Sequence, residues 1–498
     1  MQQDTGPRTG WKVVEATLDD IRLAFEAGDI SCRELVQTYL DRIEALDRGG
    51  PAINSIISVN PKAIEDADEL EAARAASGPK GPLHGVPVIL KDQIDVAGMA
   101  TTMGSVLFKD YFPDRDAFVV ERLREAGAII LAKATLGEMG GGDTHGSLFG
   151  STRNPYALAR TVGGSSGGTA AAITANLGLV GIGQEGFASI RRPSAWNSIV
   201  GMRPTAGLVS RGGVYSGWPG VQGVLGPMTR TVTDAAALLD VIAGYDPEDP
   251  LTAMGVGRLG ETFVSRLDAG ALAGARIGVM RESMGFGSEP DTEDFAQVSA
   301  VFDRAVAELE EAGAVLVDPI TIPDVRELLA KRAGGPYTKP AWDAYFERSA
   351  RPPYASREEM LASPDFPLVR NKRMASIGPW DVTAHHEDLM AREKLMFNLL
   401  KTMADHELDA IVHKSVEHQP TLIEEATAPG FVGMRGATHL NTFTTYVPAM
   451  SVPAGFTADS LPVGMTFLGR PYCDGAIIGF AYSYEQATRH RRPPDLGL

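Results

Sequence analysis

Through the first eighty residues apolar side chains return every three or four positions, as they do on one face of a helix. Leu35, Tyr39, Ile43 and Leu46 form such a row after Ser31. Thr17 and Ser31 each stand three residues ahead of an acid, Asp20 and Glu34, the spacing of a capping box that starts a helix. Residues 61–76 predict an Ala/Glu/Asp-rich helix, stopped by Gly78-Pro79-Lys80-Gly81-Pro82. The rhythm then changes. Val86-Pro87-Val88-Ile89-Leu90 is a short apolar run ending at Lys91-Asp92, and Ala128-Ile129-Ile130-Leu131-Ala132 is another; both predict buried strands, with a helix over 116–126 between them. Further on, Thr169 to Leu177 reads as a small-residue helix and Leu179 to Gly183 as a strand. Helices follow over 233–243 and 290–312, with a strand over Arg276 to Met280 between them. Residues 447–470 return to apolar strands and 474–488 to a closing helix. Helices alternating with short apolar strands predict an α/β layered fold.

From about 320 to 435 the texture is aromatic, Pro-rich and charged, with weak periodicity. This region predicts a helical insertion that covers a pocket. No internal repeat or low-complexity linker divides the chain, so residues 1–498 read as a single domain. Composition narrows the class. Hydrophobic residues are 44% and charged residues 22%, ordinary globular usage. The net charge of −17 repels phosphate backbones, and no Lys/Arg run offsets it, which argues against nucleic-acid binding. Cys32 and Cys473 cannot build a disulfide framework or a cysteine zinc site. Residues 1–7 lack the basic and apolar regions of a secretory signal, and no stretch reaches the ~20 apolar residues that cross a bilayer. A soluble cytoplasmic protein, monomer or homodimer and without membrane contact, is expected.

Glycine is the anomaly, at 55 of 498 residues against an average usage near 7%. Much of the excess lies between Gly137 and Gly226, and Gly163-Gly164-Ser165-Ser166-Gly167-Gly168 sets two hydroxyls in a backbone almost free of side chains. Such a run is compatible with a plain glycine turn at a helix start. It fits a phosphate cradle less well, because a P-loop needs Lys then Ser/Thr where Thr169-Ala170 follow. Gly163-x-Ser165-x-Gly167 also satisfies the nucleophile elbow of hydrolases. Two more residues enlarge the pattern: Lys91 at the end of its strand, and Ser189, twenty-four positions beyond Ser165.

Strand-Lys-Asp, Gly-Gly-Ser-Ser-Gly-Gly and a second serine at that spacing resemble the amidase signature family. Nearly the whole chain shares the resemblance. Gly85-Val86-Pro87 through Asp92, Asp95 to Thr102, Arg153-Asn154-Pro155, Gly201-Met202-Arg203-Pro204-Thr205, Gly226-Pro227-Met228 and Ser451-Val452-Pro453-Ala454-Gly455 fit successive blocks of its pattern. The resemblance implies a large mixed β-sheet covered by helices on both faces. It implies Ser189 as nucleophile, Ser165 as proton relay with a cis peptide bond to Gly164, and Lys91 as a base that must be neutral at rest. Burial makes that possible by disfavouring the ammonium. The backbone N–H groups of Gly186, Phe187, Ala188 and Ser189 would hold the oxyanion, and Met139, Gly140 and Gly141 would lie against substrate. Members of the family usually carry Asp-Thr-Gly-Gly-Ser where this chain has Glu185-Gly186-Phe187-Ala188-Ser189.

The family cleaves aliphatic, aryl, peptide C-terminal and fatty-acid amides as well as carbamates, urethanes among them. Here the altered oxyanion loop and the aromatic 336–380 segment (Tyr337, Trp342, Tyr345, Phe346, Tyr354) favour a bulky or aryl small-molecule amide or carbamate. Two alternatives stand beside this: an α/β-hydrolase esterase using Ser165 with a downstream acid and His, and a component of an amidotransferase, of the A type, that works on charged tRNA. No cofactor is expected, and His385, His386, His413 and His418 lack a third ligand at metal-binding spacing. Arg191, Arg192, Arg203 and Arg211 are expected in buried ion pairs, with Glu185 the partner of one, and Ser166 is expected to cap a helix.

Overall fold

The computed structural model describes residues 11–497 apart from 216–222, 259, 334–337, 373–379, 430, 432, 439 and 441–445. Eleven strands form its main sheet: β1 (Ile56–Val59), β2 (Pro87–Lys91), β3 (Ile129–Ala134), β4 (Val180–Glu185), β5 (Val200–Arg203), β6 (Val224–Thr229), β7 (Arg276–Met280), β8 (Val315–Ile320), β9 (Ala410–Lys414), β10 (Ala449–Phe456) and β11 (Pro462–Leu468). They lie in the order β1-β3-β2-β4-β6-β5-β10-β11-β9-β7-β8. β2 runs parallel to both β3 and β4, β7 runs parallel to β8 and β9, and antiparallel pairs join the two groups, so the sheet is mixed. Every residue of β2, β3, β4 and β6 is buried. Successive strand residues point to opposite faces, so total burial means that both faces are covered.

Parallel strands need crossovers, and the helix Gly167–Thr174 supplies the one leading into β4, packing on β2 and β4. It begins two residues earlier than the apolar pattern indicated, at Gly167 rather than Thr169, and ends at Thr174 rather than Leu177. Close approach explains the glycines: a Cβ on Gly168 would sit 2.2 Å from the carbonyl oxygen of Thr135. The carboxyl ends of β2 and β4 and the amino end of this helix therefore open on one edge of the sheet, where ligands of α/β sheets bind.

Within 320–435 the structure is of two kinds. The helix Val382–Asp405 buries Ala391, Leu395, Leu399 and Met403, one stripe at i, i+4 spacing, against the region of Ile320, Leu328 and Ile411. Ala410–Lys414 is β9, fully buried between β11 and β7, so a core strand interrupts the helical stretch, which resumes only in the short helix Ile423–Ala426. The aromatic part packs on the β2 side. Trp342, Tyr345, Phe346 and Met360 cluster with Phe108, Tyr111, Met139 and Tyr215; Tyr337 lies outside the described residues.

Both capping boxes form, at Thr17 with Asp20 and at Ser31 with Glu34. At the second, Ser31 Oγ accepts from the Glu34 N–H at 3.2 Å while the Glu34 carboxylate accepts from the Ser31 N–H at 2.8 Å. Ser31→Ala is expected to cost about 1 kcal/mol, read as a lower urea midpoint with an unchanged near-UV spectrum.

Candidate active site

Lys91 closes β2 and is wholly buried. Its amine donates to Ser165 Oγ at 2.7 Å and to the Gln184 carbonyl oxygen at 3.2 Å. Desolvation holds this lysine well below its ordinary pKa, against the opposing pull of the Glu185 charge. Ser165 is buried and follows a cis peptide bond from Gly164. Its neighbour Ser166 donates its N–H to the Ser189 carbonyl oxygen at 3.1 Å, which ties the two serine segments together. The Ser166 hydroxyl does not cap the helix as expected. It bridges Gln184 instead, donating to that carbonyl at 3.2 Å and accepting from that N–H at 3.1 Å. Pulling the hydroxyl onto β4 locks the serine loop to the strand that carries Glu185.

Beyond β4 the chain turns through Gly186, Phe187, Ala188 and Ser189, and Glu185 holds that turn shut. One oxygen of its buried carboxylate accepts from the N–H groups of Ile190 at 2.9 Å and Arg191 at 3.0 Å, and the other from Arg191 Nε at 2.8 Å. Arg203 adds a second cation at 3.7 Å, its pKa lowered to about 10 by burial. Gly186 and Ser189 are partly exposed while their neighbours are buried. Among the described residues, no acceptor meets the N–H of Gly186, Ala188 or Ser189, and the Ser189 hydroxyl makes no hydrogen bond. The site therefore presents an accessible hydroxyl and unspent amide donors beside a buried amine. No residue from Gly186 to Ser189 needs the left-handed backbone region, so Phe187 and Ala188 occupy the turn without steric conflict.

The strip Met139–Gly141 lies against the serine loop through the next two residues: a Cβ on Gly164 would meet the Gly142 carbonyl oxygen at 2.4 Å. Arg192 pairs with Asp143 there, and Arg211 pairs with Asp249 at 2.7 Å farther off, so all four arginines are in ion pairs. Two residues that sequence reasoning passed over fix the strip. The fully buried Glu138 accepts from the N–H groups of Arg370 at 2.7 Å and Asn371 at 2.8 Å, and Asn371 Nδ2 donates to the Gly141 carbonyl at 3.0 Å. The only sequence signal was an acid in an otherwise apolar, Gly-rich run.

No histidine hydrogen-bonds Ser165 or Ser189 among the described residues, which removes the geometric basis of the esterase alternative. His413 is buried, pushed down to about 3 by desolvation, and bonds the Lys414 carbonyl; His418 bonds Asp294. No described trio of His, Cys, Asp or Glu is grouped to hold a metal ion. No described helix is long and apolar enough to cross a membrane.

Removing one partner of a buried ion pair leaves a charge uncompensated, at about 3–5 kcal/mol. Glu185→Gln is expected to lower stability by that order and to speed hydrogen exchange at the Ile190 and Arg191 amides. Unchanged protection of those two amides contradicts the role given to this carboxylate.

Comparison with known proteins agrees with this geometry. A family model described as Amidase matches residues 34–478. The A-type component of the glutamyl-tRNA(Gln) amidotransferase of Moorella thermoacetica is 33% identical, over 94% of this chain and 96% of its own. The native peptide amidase of Stenotrophomonas maltophilia is 33% identical and superposes with a TM-score of 0.84, covering 97% of this chain and 99% of its own. A bacterial aryl acylamidase of the amidase signature family is 25% identical with a TM-score of 0.78, covering 97% and 98%. With a buried lysine on a seryl hydroxyl and likeness along nearly its full length, this chain belongs to the amidase signature family.

Proposed function

We propose that the protein hydrolyses the C–N bond of a bulky or aryl amide or carbamate, urethanes included, through an acyl-enzyme on Ser189. The observation that carries this is the 2.7 Å hydrogen bond from the buried Lys91 amine to Ser165, whose loop is tied to the partly exposed Ser189 by the Ser166 N–H at 3.1 Å. A lysine kept neutral by burial accepts a proton from Ser165 as Ser165 takes one from Ser189. The freed Ser189 oxygen bonds to the carbonyl carbon, and the oxyanion is held by the amides of Gly186, Phe187, Ala188 and Ser189, at about 3–4 kcal/mol per donor. The proton returns through Ser165 to the departing amine as the C–N bond breaks. Water then enters by the same relay and releases the acid. No cofactor or metal enters these steps.

The residues 338–372 form the cover of this single-domain site, fastened at Glu138 and Asn371 to the strip Met139–Gly141 that faces substrate. The aromatic side chains pack into a buried cluster with Phe108, Tyr111 and Tyr215, and the likeness to a bacterial aryl acylamidase supports an aryl substrate group. The chain acts without nucleic acid, as a monomer or homodimer: its charge of −17 and the Gly186-Phe187-Ala188 turn both speak against a role in an amidotransferase complex. Two free cysteines, Cys32 and Cys473, suit a reducing cytoplasm.

Ser189→Ala is expected to abolish turnover of a panel of anilides, primary amides and aryl carbamates while the fold survives, and a fluorophosphonate is expected to label wild type on Ser189. Labelling on Ser165 with activity surviving in Ser189→Ala contradicts the assignment. Turnover that appears only with charged tRNA and added partner proteins points to the amidotransferase alternative.

A further inference from the structure

Phe187 stands in the oxyanion turn, yet its side chain is buried away from solvent, at 7% exposure, in a cluster with Ala188, Ala437, Phe286 and Met434. Its handles are taken by different parts of the chain. The Arg332 guanidinium lies over the ring at 4.4 Å from its centroid, and Phe286 meets it edge-on at 6.2 Å. The Phe187 carbonyl accepts from Arg191 Nη2 at 3.2 Å, and that same arginine is gripped by Glu185. Arg332 itself comes just after the helix Val325–Ala330, which buries Val325, Leu328 and Leu329. Phe286 is fixed by backbone bonds with Gly436 and Ala437, at 2.8 and 3.0 Å.

We infer that Phe187 is a positioning residue, and that the clasp of Arg332 and Phe286 on its ring aims the peptide groups of the oxyanion turn. This rests on the hydrolase reading above. A glycine at this place leaves peptide orientation to the backbone alone. A phenyl ring held on its face by a cation and on its edge by another ring fixes the peptide planes on both sides of residue 187. The clasp acts through the turn and does not touch the reacting atoms, so its loss is felt in the transition state, where the oxyanion develops, and not in substrate binding.

The test is steady-state kinetics on one anilide for wild type, Phe187→Leu, Arg332→Ala, Arg332→Lys and the double variant Phe187→Leu/Arg332→Ala, with fluorophosphonate labelling of each. Phe187→Leu and Arg332→Ala are each expected to lower kcat about tenfold with KM within twofold. Arg332→Lys, which keeps a cation over the ring, is expected to recover part of the loss. The double variant is expected to be no slower than the slower single one, because both remove the same clasp. Arg332 is half-exposed, so its variants report even where Phe187→Leu folds poorly. A rise in KM at unchanged kcat, losses that multiply in the double variant, or wild-type kcat in Arg332→Ala overturns the inference. Labelling separates the two readings: variants that keep wild-type kcat while Ser189 is labelled remove the clasp alone, whereas wild type labelled elsewhere removes the hydrolase reading beneath it.

Discussion

The site depends on one amine taken out of water without a carboxylate to receive it. Two lysines are buried on adjacent strands, and the contrast between them is instructive. Lys133 of β3 lies 3.3 Å from Asp92 and also donates to Ala100 and Thr101, a compensated cation. Lys91 of β2 has a hydroxyl and a carbonyl as its hydrogen-bond partners and no ion-pair partner among the described residues. Burial of a charge costs several kcal/mol unless it is paired, so desolvation lowers the pKa of both lysines. Asp92 and Asp95 pull Lys133 back toward the ammonium, whereas Lys91, without an ion-pair partner among the described residues, is held well below its ordinary value. A neutral amine can accept a proton, and the hydroxyl it is bonded to is that of Ser165.

Around that amine the fold acts as a set of clamps on short loops. Parallel β2 and β4 bring Lys91 and Glu185 to one edge of the sheet, and the helix at Gly167 brings the serine loop there. The Ser166 hydroxyl fastens that loop to Gln184. Glu185 folds its carboxylate over the next turn, and Glu138 fixes the strip and its cover. Each clamp is a buried polar group with its partners in place, which is the condition under which such groups order a site instead of destabilising it.

Lys91, Ser165 and Ser189 were singled out in the sequence by the resemblance of their motifs to the amidase signature family, and the structure puts Lys91 on Ser165 and ties the Ser189 segment to the serine loop. The strands at Arg276–Met280 and the helix at Asp474–Thr488 were legible because their apolar patterns are clean. The helix start at Gly167 was not, since glycines chosen for close approach carry no periodicity. Ser166 looked like a cap because a serine before a helix usually is one; a competing partner across the loop, invisible in sequence, won. The bonds from Asn371 to Gly141 and from Glu138 to Asn371 span more than two hundred residues, and no local signal announces them. The contact of Arg332 with Phe187 was equally out of reach, although the Phe itself was visible as a departure from the family's glycine.

The most direct test of the central claim is kcat/KM against pH on an anilide. A base must be deprotonated to act, so activity rises as Lys91 loses its proton, and a lowered pKa moves that rise to lower pH. The account predicts a rising limb well below the ~10.4 of a free lysine, and its loss in Lys91→Arg, whose guanidinium stays charged. A limb centred near 10.4, or one that persists unchanged in Lys91→Arg, contradicts it.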